Sequence, residues 1–445
     1  MNATRPSVAV ALKVTLAVAL LSGLPAVPVN AEVVAGGELD LGLSAMVDPT
    51  QPLASVIGDS ILFYPTIHVE DPAWRLEGKL SLEWDRSGVT PSVGIQDLYV
   101  ELSPTGFLTL RLGRFVYAPG SAGVLSPTHW FVTPDLLALV RNDTESLVRG
   151  GDLVQGIVTL GDWSLTLSAS PFAPAWSIPD PSSPWFPRKD FPRSITIFFP
   201  TTQVLSLTGI TVQEAPAAQL SLQDMSVGAE LGVSLPLVDL SLLAYHGWDN
   251  TPLFQPSFEF PSGFFGDYDI VLTPVARKID SVGAEATLTW GSLSAWADGA
   301  YTFSKTFLSR KLSSSTFASD LVTSPCLEYA AGAGYDFSVP RLSLQAGYRG
   351  LWVTQPTADT LLPFMGSYLS GTCALRLWDD RLSVAIQGLV STADWSAAII
   401  GLLSVAPSNE LSFDVTLPFF LGASDTELGQ FSANYLVSIG VTVRY

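Results

Sequence analysis

Apolar and polar residues alternate along the last eleven positions of the chain. One parity is entirely apolar or aromatic: Tyr435, Val437, Ile439, Val441, Val443 and Tyr445. The other parity is small or polar, apart from Leu436. Because successive side chains of a β-strand point to opposite faces, the pattern predicts a strand with one apolar and one polar face. Ten residues tilted by about 40° rise roughly 25 Å, the height of the apolar band that an outer-membrane barrel presents between two aromatic girdles.

The same spacing recurs near the other end of the chain. One face of a predicted strand carries Trp74, Leu76, Gly78, Leu80, Leu82 and Trp84, and the other carries Arg75, Glu77, Lys79, Ser81, Glu83 and Asp85. A water-soluble β-sandwich also alternates, but it buries its apolar face against a second sheet and has no reason to space tryptophans by the thickness of a membrane. We therefore expect these strands to cross a bilayer.

Segments of period two, separated alternately by tight turns and long loops, predict antiparallel hairpins from residue 36 to residue 445. The predicted strands are 36–47, 61–69, 74–85, 94–103, 107–117, 150–160, 163–171, 222–235, 237–248, 279–290, 293–305, 327–338, 341–353, 365–378, 381–392, 396–405, 410–421 and 431–445. The predicted fold is an all-β, transmembrane, antiparallel up-and-down barrel of about eighteen strands, since only closure satisfies every backbone group in lipid. Sixteen and twenty strands stay open as alternatives, because 204–212 could add a strand or a hairpin inside the loop 172–221.

The short turns all fall on one side of this barrel, which we assign to the periplasm. The long segments fall on the other side and are predicted extracellular loops: 118–149, 172–221, 249–278, 306–326 and 354–364. The proline-dense stretch 171–200 must be a loop, since each proline removes a donor from the sheet. We expect its Trp176 and Trp185 to pack against other loops; covering the barrel mouth or binding a sugar or a partner are the alternatives.

The first 31 residues have the pattern of a cleaved secretory signal. Arg5 and Lys13 supply positive charge, an apolar core follows, and small residues precede Glu32. The predicted organisation is a signal peptide, 1–31, and one outer-membrane β-barrel with long extracellular loops, 32–445. The first strand follows Glu32 too soon for the plug domain of a TonB-dependent transporter. We expect location in a bacterial outer membrane, with outer-membrane lipid and, through the C-terminal strand, the barrel-assembly machinery as partners.

Composition narrows the function. The chain is 47% hydrophobic yet has a net charge of −19, which disfavours nucleic-acid binding. The acidity has two interpretations, solvated loops or an electronegative lumen that prefers cations. Cys326 and Cys373 are expected to be unpaired. The three histidines, His68, His129 and His246, are scattered, so we expect no metal, no cofactor and no enzymatic activity.

The inward parity of the strands supplies candidate pore-lining residues. They are Arg75, Glu77, Lys79, Glu83, Asp97, Tyr99, Glu101, Arg111, Glu285, Asp298, Arg349 and Arg376, with Gln345 and Gln387 on the same parity. The tight turn 103–106 predicts Tyr99 opposite Arg111, with Asp97 and Glu101 diagonal to it. Such a mixed-charge ladder would orient solutes; the alternative is that these side chains pair only to satisfy one another.

The first long loop, 118–149, is the predicted constriction. Its candidate residues are Asp135, Arg141, Asp143, Glu145 and Arg149. The alternative is that these charges are solvated on an outer loop.

One part of the chain resembles a known family. The motifs that carry the resemblance are the strand 96–102 (QDLYVEL), the strand 108–114 (LTLRLGR) and the glycine- and proline-containing segment 120–131. They resemble porin-like outer-membrane proteins, including the alginate-export and phosphate-selective relatives. The resemblance implies passive passage of solutes through a monomeric or homotrimeric barrel. It does not imply alginate or phosphate, because no matching set of lysines and arginines is present, and Val116 to Pro119 stand where tryptophan is common, so we expect a different constriction.

These observations together predict an outer-membrane porin that lets small hydrophilic solutes diffuse passively, with a preference for cations. One alternative is a substrate-specific transporter of a hydrophobic or oligosaccharide ligand, with loop aromatics in the lumen. The other is a surface adhesin or structural barrel that transports nothing.

Overall fold

The structure is a computed structural model of the chain. It describes residues 32–46, 55–71, 73–85, 92–123, 126–134, 148–172, 181, 185–187, 194–198, 202–213, 224–251, 253–261, 267–312, 318–363, 366–434 and 436–445. The predicted signal peptide, 1–31, lies outside these residues.

The described residues form strands almost throughout. In chain order the strands are β1 (Glu32–Met46), β2 (Ser55–Asp71), β3 (Trp74–Asp85), β4 (Ser92–Thr105), β5 (Leu108–Phe115), β6 (Thr133–Pro134), β7 (Val148–Arg149), β8 (Gly151–Leu160), β9 (Trp163–Ser170), β10 (Ser194–Phe198), β11 (Thr202–Val212), β12 (Ser226–Ser234), β13 (Val238–Trp248), β14 (Phe254–Glu259), β15 (Tyr268–Pro274), β16 (Lys278–Trp290), β17 (Leu293–Leu312), β18 (Ser319–Phe337), β19 (Arg341–Val353), β20 (Thr360–Leu361), β21 (Tyr368–Leu377), β22 (Leu382–Ser391), β23 (Ala397–Val405), β24 (Leu411–Leu421) and β25 (Leu436–Arg444). A short 3₁₀ helix spans Gly429–Phe431. No helix in the described part of the chain is long and apolar enough to cross a membrane.

Eighteen of the described strands close into one antiparallel barrel. The order around the barrel is β1 to β5, β8, β9, β12, β13, β16 to β19 and β21 to β25, and the pairing of β25 with β1 closes it. The predicted fold and strand number are therefore confirmed, and the alternatives of sixteen and twenty strands are wrong. The segment that raised those alternatives forms β10 and β11, which belong to a separate sheet.

The strand boundaries follow the alternation closely. Both β3 and β19 coincide with their predicted ranges. The largest difference is the β17–β18 hairpin, which reaches Leu312 and resumes at Ser319, well beyond the predicted 305 and 327. The part of the hairpin that extends beyond the barrel wall contacts other loops, and β20 pairs with its β17 strand. Its two faces therefore do not divide lipid from water, and apolar and polar residues no longer alternate along it.

The outer face of the barrel is apolar. Leu242 is 63% exposed and Ile439 is 48% exposed. At this depth of a barrel wall, exposed apolar side chains face lipid and not water. Large exposed aromatics mark both rims, with Trp163, Trp290 and Tyr445 at the end of the short turns and Trp352 and Trp395 at the opposite end. A closed barrel with an apolar outer surface is the architecture of a protein of the bacterial outer membrane.

Short turns and long loops separate to opposite ends of the barrel, as predicted. The short-turn end carries the two-residue connections β4–β5, β8–β9 and β16–β17, where Gly161 and Gly291 adopt positive φ of 60° and 61°. Glycine adopts positive φ without steric cost, which explains its place in these two tight turns. The connections β12–β13, β18–β19 and β21–β22 are also short and lie at the same end, whereas the long loops lie at the other end.

A four-stranded sheet is separate from the barrel sheet and has the order β10-β11-β15-β14. We call it the loop sheet. Its core consists of the buried residues Phe186, Leu205, Tyr268, Ile270 and Leu272. The edge strand β14 is attached to the long β17–β18 hairpin, because Gln255 Nε2 donates a hydrogen bond to the Ser319 carbonyl at 2.6 Å.

The two cysteines are free, as expected: Cys326 is buried and Cys373 is exposed.

Charge on the outer face of the last strand should be costly. We expect Ile439→Arg to lower the free energy of unfolding by about 2 to 4 kcal/mol, because the guanidinium would lie in hydrocarbon near mid-membrane. Urea titration in lipid vesicles, followed by heat-modifiable gel mobility, measures this. Thr442→Arg, on the inner face of the same strand, is the control and should cost far less. Equal losses would contradict the assignment of the outer face to lipid.

Candidate functional site

Small polar side chains cover much of the inner wall, yet many of them are not exposed. On β9 the inward residues Thr166, Ser168 and Ser170 are all buried. They lie under a segment that leaves β5 and turns into the barrel, whose described residues are 116–123 and 126–134. We call it the inward loop. It is the described part of the first long loop, in which the sequence predicted a constriction.

Aromatic residues fix one part of the inward loop to the wall. The rings of Trp130 and Tyr245 stack with centroids 5.2 Å apart, and Phe131 meets the same tyrosine edge-on at 5.2 Å. Leu243 and Ile279 complete a buried cluster beneath Trp130. Offset and edge-on aromatic pairs add stabilisation to the burial of apolar area, so this part of the loop is held against β13 and β16.

Two carboxylates of the wall hold the backbone of the inward loop. Glu285 Oε2 accepts the Gly120 N–H at 2.9 Å, and Asp298 Oδ2 accepts the Ala122 N–H at 3.0 Å. Glu285 and Asp298 face each other across β16 and β17. Gly120 has a φ of 80°, and a Cβ there would meet Asp298 Oδ2 at 2.9 Å, so only glycine fits under the carboxylate. These two predicted pore-lining residues therefore bind the loop instead of facing open solvent.

Two further side chains anchor the inward loop and were missed from the sequence. Asn250 Nδ2 donates to the carbonyls of His129 and Val132, the latter at 2.9 Å. The Tyr117 hydroxyl donates to Glu230 Oε2 at 2.5 Å. Glu230 lies on the inward parity of β12, a signal that the sequence contained, whereas Asn250 follows β13 in a loop and carried no such signal.

One charged wall is formed by β3, β4 and β5. Arg75 Nη2 lies 3.2 Å from Glu101 Oε2, and Arg111 Nε donates to the same oxygen. The register pairs Arg111 with Glu101 and Tyr99 with Gly113, so the predicted position of Tyr99 opposite Arg111 is wrong. The turn is centred on residues 106 and 107, and the register is irregular between Leu102 and Thr105. As a result, the observed pairing differs from the predicted one by two residues.

The rest of this wall also carries both signs of charge. Glu77 Oε2 lies 3.0 Å from the His68 ring, and the Lys79 ammonium lies 5.1 Å from the centroid of the Tyr64 ring. Lys79 is paired in register with Asp97. The side chain of Glu83 lies outside the described residues. The ladder thus places opposite charges side by side, which keeps the net field of this wall small.

A second charged group lies on the facing wall. Lys305 Nζ is 2.9 Å from Glu328 Oε2 and 3.8 Å from Asp249 Oδ1, and Arg349 Nη2 is 3.2 Å from Glu328 Oε1. Only 5% of the Lys305 side chain and 10% of the Glu328 side chain are exposed. In ring order β18 is nine strands from β3, so this group faces the Arg75 wall across the barrel. Lys305 is the last residue of the predicted strand 293–305, and it was missed because the irregular register after Thr302 reverses the parity that the alternation predicts there.

The remaining candidate residues are less informative. Arg376 is exposed near the short-turn end, where it pairs in register with Arg341. Arg149 belongs to β7, which pairs with β6, but its side chain lies outside the described residues. The other constriction-loop candidates lie wholly outside them: Asp135, Arg141, Asp143 and Glu145.

Between the inward loop and the wall from β16 to β23, the lumen contains a cavity of about 650 Å³. We call it the lumen cavity. The inward loop contributes His129 and Trp130, and the wall contributes Trp296, Gln345 and Gln387. Its charged lining residues are those of the second group, Asp249, Lys305, Glu328 and Arg349.

The proline-dense loop reaches across the long-loop end. Trp185 packs against Phe420 and Phe431, with ring centroids 5.6 Å and 5.9 Å apart, while the next residue, Phe186, lies in the core of the loop sheet. Trp185 was expected to pack against other loops: it does so at Phe431, in the loop between β24 and β25, but Phe420 belongs to the barrel strand β24. Trp176 lies outside the described residues.

Another contact at this end fixes the loop between β24 and β25. Asp394 lies in the turn after β22, and its carboxylate accepts hydrogen bonds from the Ser396 hydroxyl at 2.6 Å and the Glu427 N–H at 2.6 Å. Partial burial raises the pKa of Asp394, but these hydrogen bonds outweigh it and lower the pKa to about 2.

Within the described part of the chain, no group of three or more histidine, cysteine or acidic residues is arranged to hold a metal ion.

A comparison with models of known protein families finds no match, and a comparison with curated protein sequences finds none either. Among solved structures, the chain is similar to OmpF of Salmonella typhi in complex with daunomycin, with 9% identity, 93% of this chain and 97% of that chain covered, and a TM-score of 0.45. It is also similar to the trimer form of Vibrio cholerae OmpT, with 9% identity, 93% and 99% coverage and a TM-score of 0.39. For a mutant of the Rh. blastica porin the values are 12%, 93%, 100% and 0.39. At such low identities and TM-scores, these likenesses carry no argument about function or assembly.

Removing the carboxylate that holds Ala122 should loosen the inward loop. We expect Asp298→Ala to lower the local free energy of opening by about 1 kcal/mol, since the partly buried Ala122 N–H loses its acceptor, and to increase the noise of the open-channel current. Single-channel recording measures the noise. Asp414→Ala is the matched control, because Asp414 also faces inward but accepts its hydrogen bond from Ser412 at 3.2 Å. Equal noise in both variants would show that the carboxylate does not hold the loop.

Acid should release the loop between β24 and β25. Because the folded pKa of Asp394 is depressed to about 2, its contribution is present above the unfolded pKa of about 3.9 and is lost as the pH falls through the folded value. We expect hydrogen exchange at residues 422–434, corrected for the intrinsic rate, to accelerate over that range. Asp394→Asn should exchange fast already at neutral pH, whereas Asp425→Asn, exposed in the same loop, should behave like the parent protein. Slow exchange in Asp394→Asn would contradict this role.

Proposed function

We propose that the protein is an outer-membrane porin through which small hydrophilic solutes diffuse passively, with no chemical step. The observation that carries the proposal is the lumen itself: a closed barrel with an apolar outer face and a polar inner wall, narrowed by an inward loop beside a cavity of about 650 Å³. Barrels of this strand number are wide enough to hold water unless loops fill them. The inward loop fills one side and leaves the other side for solutes.

We further propose only a modest preference for cations. On the two facing walls, the cations Arg75, Lys79, Arg111, Lys305 and Arg349 lie beside carboxylates. Other inward carboxylates, such as Glu230, Glu285 and Asp298, accept hydrogen bonds from the inward loop. The net charge of −19 therefore acts on permeating ions mostly through a diffuse field, which salt screens beyond about 10 Å.

A substrate-specific transporter is the second candidate. It is favoured by the covering of the long-loop end, where Trp185 joins the loop sheet to the aromatics Phe420 and Phe431. A covered mouth would restrict entry to solutes that pass the loops. Whether the barrel is a monomer or a homotrimer stays a prediction.

Single-channel recording tests the proposal. The refolded protein is inserted into a planar bilayer, and conductance and reversal potential are measured across a salt gradient. We expect stable open steps with a small reversal potential of the cation-selective sign. A correctly folded barrel that gives no steps would overturn the porin proposal, and steps that appear only when a solute is added would favour the specific transporter.

A further inference from the structure

An indole ring lies flat on the wall of the lumen cavity. Trp296 on β17, Gly332 on β18 and Gly347 on β19 are neighbours in one register row. A Cβ added at Gly332 would lie 2.4 Å from Trp296 Cζ2, and one added at Gly347 would lie 3.6 Å from the same atom. The indole therefore extends over two glycines, which leaves one ring face against the backbone of the wall and the other toward the cavity that it lines.

Two amides lie in the adjacent row. Gln345 precedes Gly347 by two positions on β19, and the row continues through Thr372 on β21 to Gln387 on β22. Inward neighbours along one strand are roughly 7 Å apart, which is about the width of a sugar ring. Both glutamines line the cavity, and neither amide has a hydrogen-bond partner among the described residues. Each amide offers one acceptor oxygen and two donor hydrogens.

The charges around the cavity favour a neutral ligand. Lys305 and Arg349 are matched by Glu328 and Asp249 at distances from 2.9 to 3.8 Å. An ionic ligand would have to break these pairs, which would leave a buried charge uncompensated. A flat aromatic face beside unpaired amides suits a ring whose C–H groups are apolar on one face and whose hydroxyls project around its edge.

We propose that this wall is a binding subsite for a neutral saccharide, with one sugar ring packed on Trp296 and its hydroxyls bound by Gln345 and Gln387. The proposal rests on the porin function above and deepens it by naming the class of solute. The cavity volume falls within the range of about 300 to 1,000 Å³ that is usual for small-molecule sites. Binding should be weak, with a dissociation constant on the order of millimolar, because a solute held tightly would not leave the channel.

Sugar-dependent block of the ion current tests the subsite. Maltose and glucose are added to the refolded protein in a planar bilayer, and the half-blocking concentration is read from the current. We expect Trp296→Ala to raise this concentration about five- to tenfold, since the ring contact is lost, while Trp296→Phe stays close to the parent protein. Gln345→Leu and Gln387→Leu should raise it by about threefold or more each, since one hydrogen bond is lost. They serve as independent variants if Trp296→Ala does not fold, which heat-modifiable mobility reports.

Trp290→Ala is the matched control, because Trp290 is 68% exposed on the outer face of the neighbouring strand. Its half-blocking concentration should equal that of the parent protein. Equal block in Trp296→Ala and in the parent protein would overturn the subsite, as would block by lysine or glutamate at lower concentrations than by maltose.

The two proposals fail separately. Ion-conducting steps without sugar block would overturn the saccharide subsite and leave the porin function standing. Absence of steps from a folded barrel would overturn the porin function, and calorimetric titration of the same barrel with maltose would then decide the subsite, with no heat of binding overturning it.

Discussion

Hydrocarbon offers no hydrogen-bond partner, so every backbone N–H and C=O group that crosses a membrane must be paired within the protein. The pairing of β25 with β1 meets this constraint by closing the sheet. Closure then gives each strand two fixed surroundings, lipid outside and the lumen inside. Arg75 and Arg111 can be charged only because their parity faces the lumen, and a slip of one residue would turn both into lipid. The charged and polar residues of the lumen therefore depend on the closure that backbone hydrogen bonding requires.

The inward loop occupies part of the lumen and is held by aromatic packing at Tyr245 and by the carboxylates of Glu285 and Asp298. Polar residues on the wall thus fall into two groups. Some of them bind the loop, and in the porin that we propose the others face the permeating solutes.

On both facing walls, charged side chains are paired with neighbours of opposite charge. Glu101 lies between Arg75 and Arg111, and Glu328 lies between Lys305 and Arg349. Paired charges orient water and solutes over short distances and add little long-range field. The saccharide subsite that we propose accordingly consists of aromatic and amide groups, and the ionic groups beside it are paired with one another.

The sequence by itself determined the barrel and the inward face of residues such as Glu285, because alternation is a local property of each strand. It predicted about eighteen strands, and the structure decided between this number and sixteen or twenty by placing β10 and β11 in a separate sheet. The sequence did not determine the partners. The register of Glu101 with Arg111 depends on an irregular turn, and the contact of Asp298 with Ala122 joins residues 176 positions apart. Likewise, nothing local to Trp296 reveals that glycines on two other strands let it lie flat. Such contacts are set by how distant strands and loops pack together, so only the tertiary structure decided which polar residues bind the loop and which face the cavity.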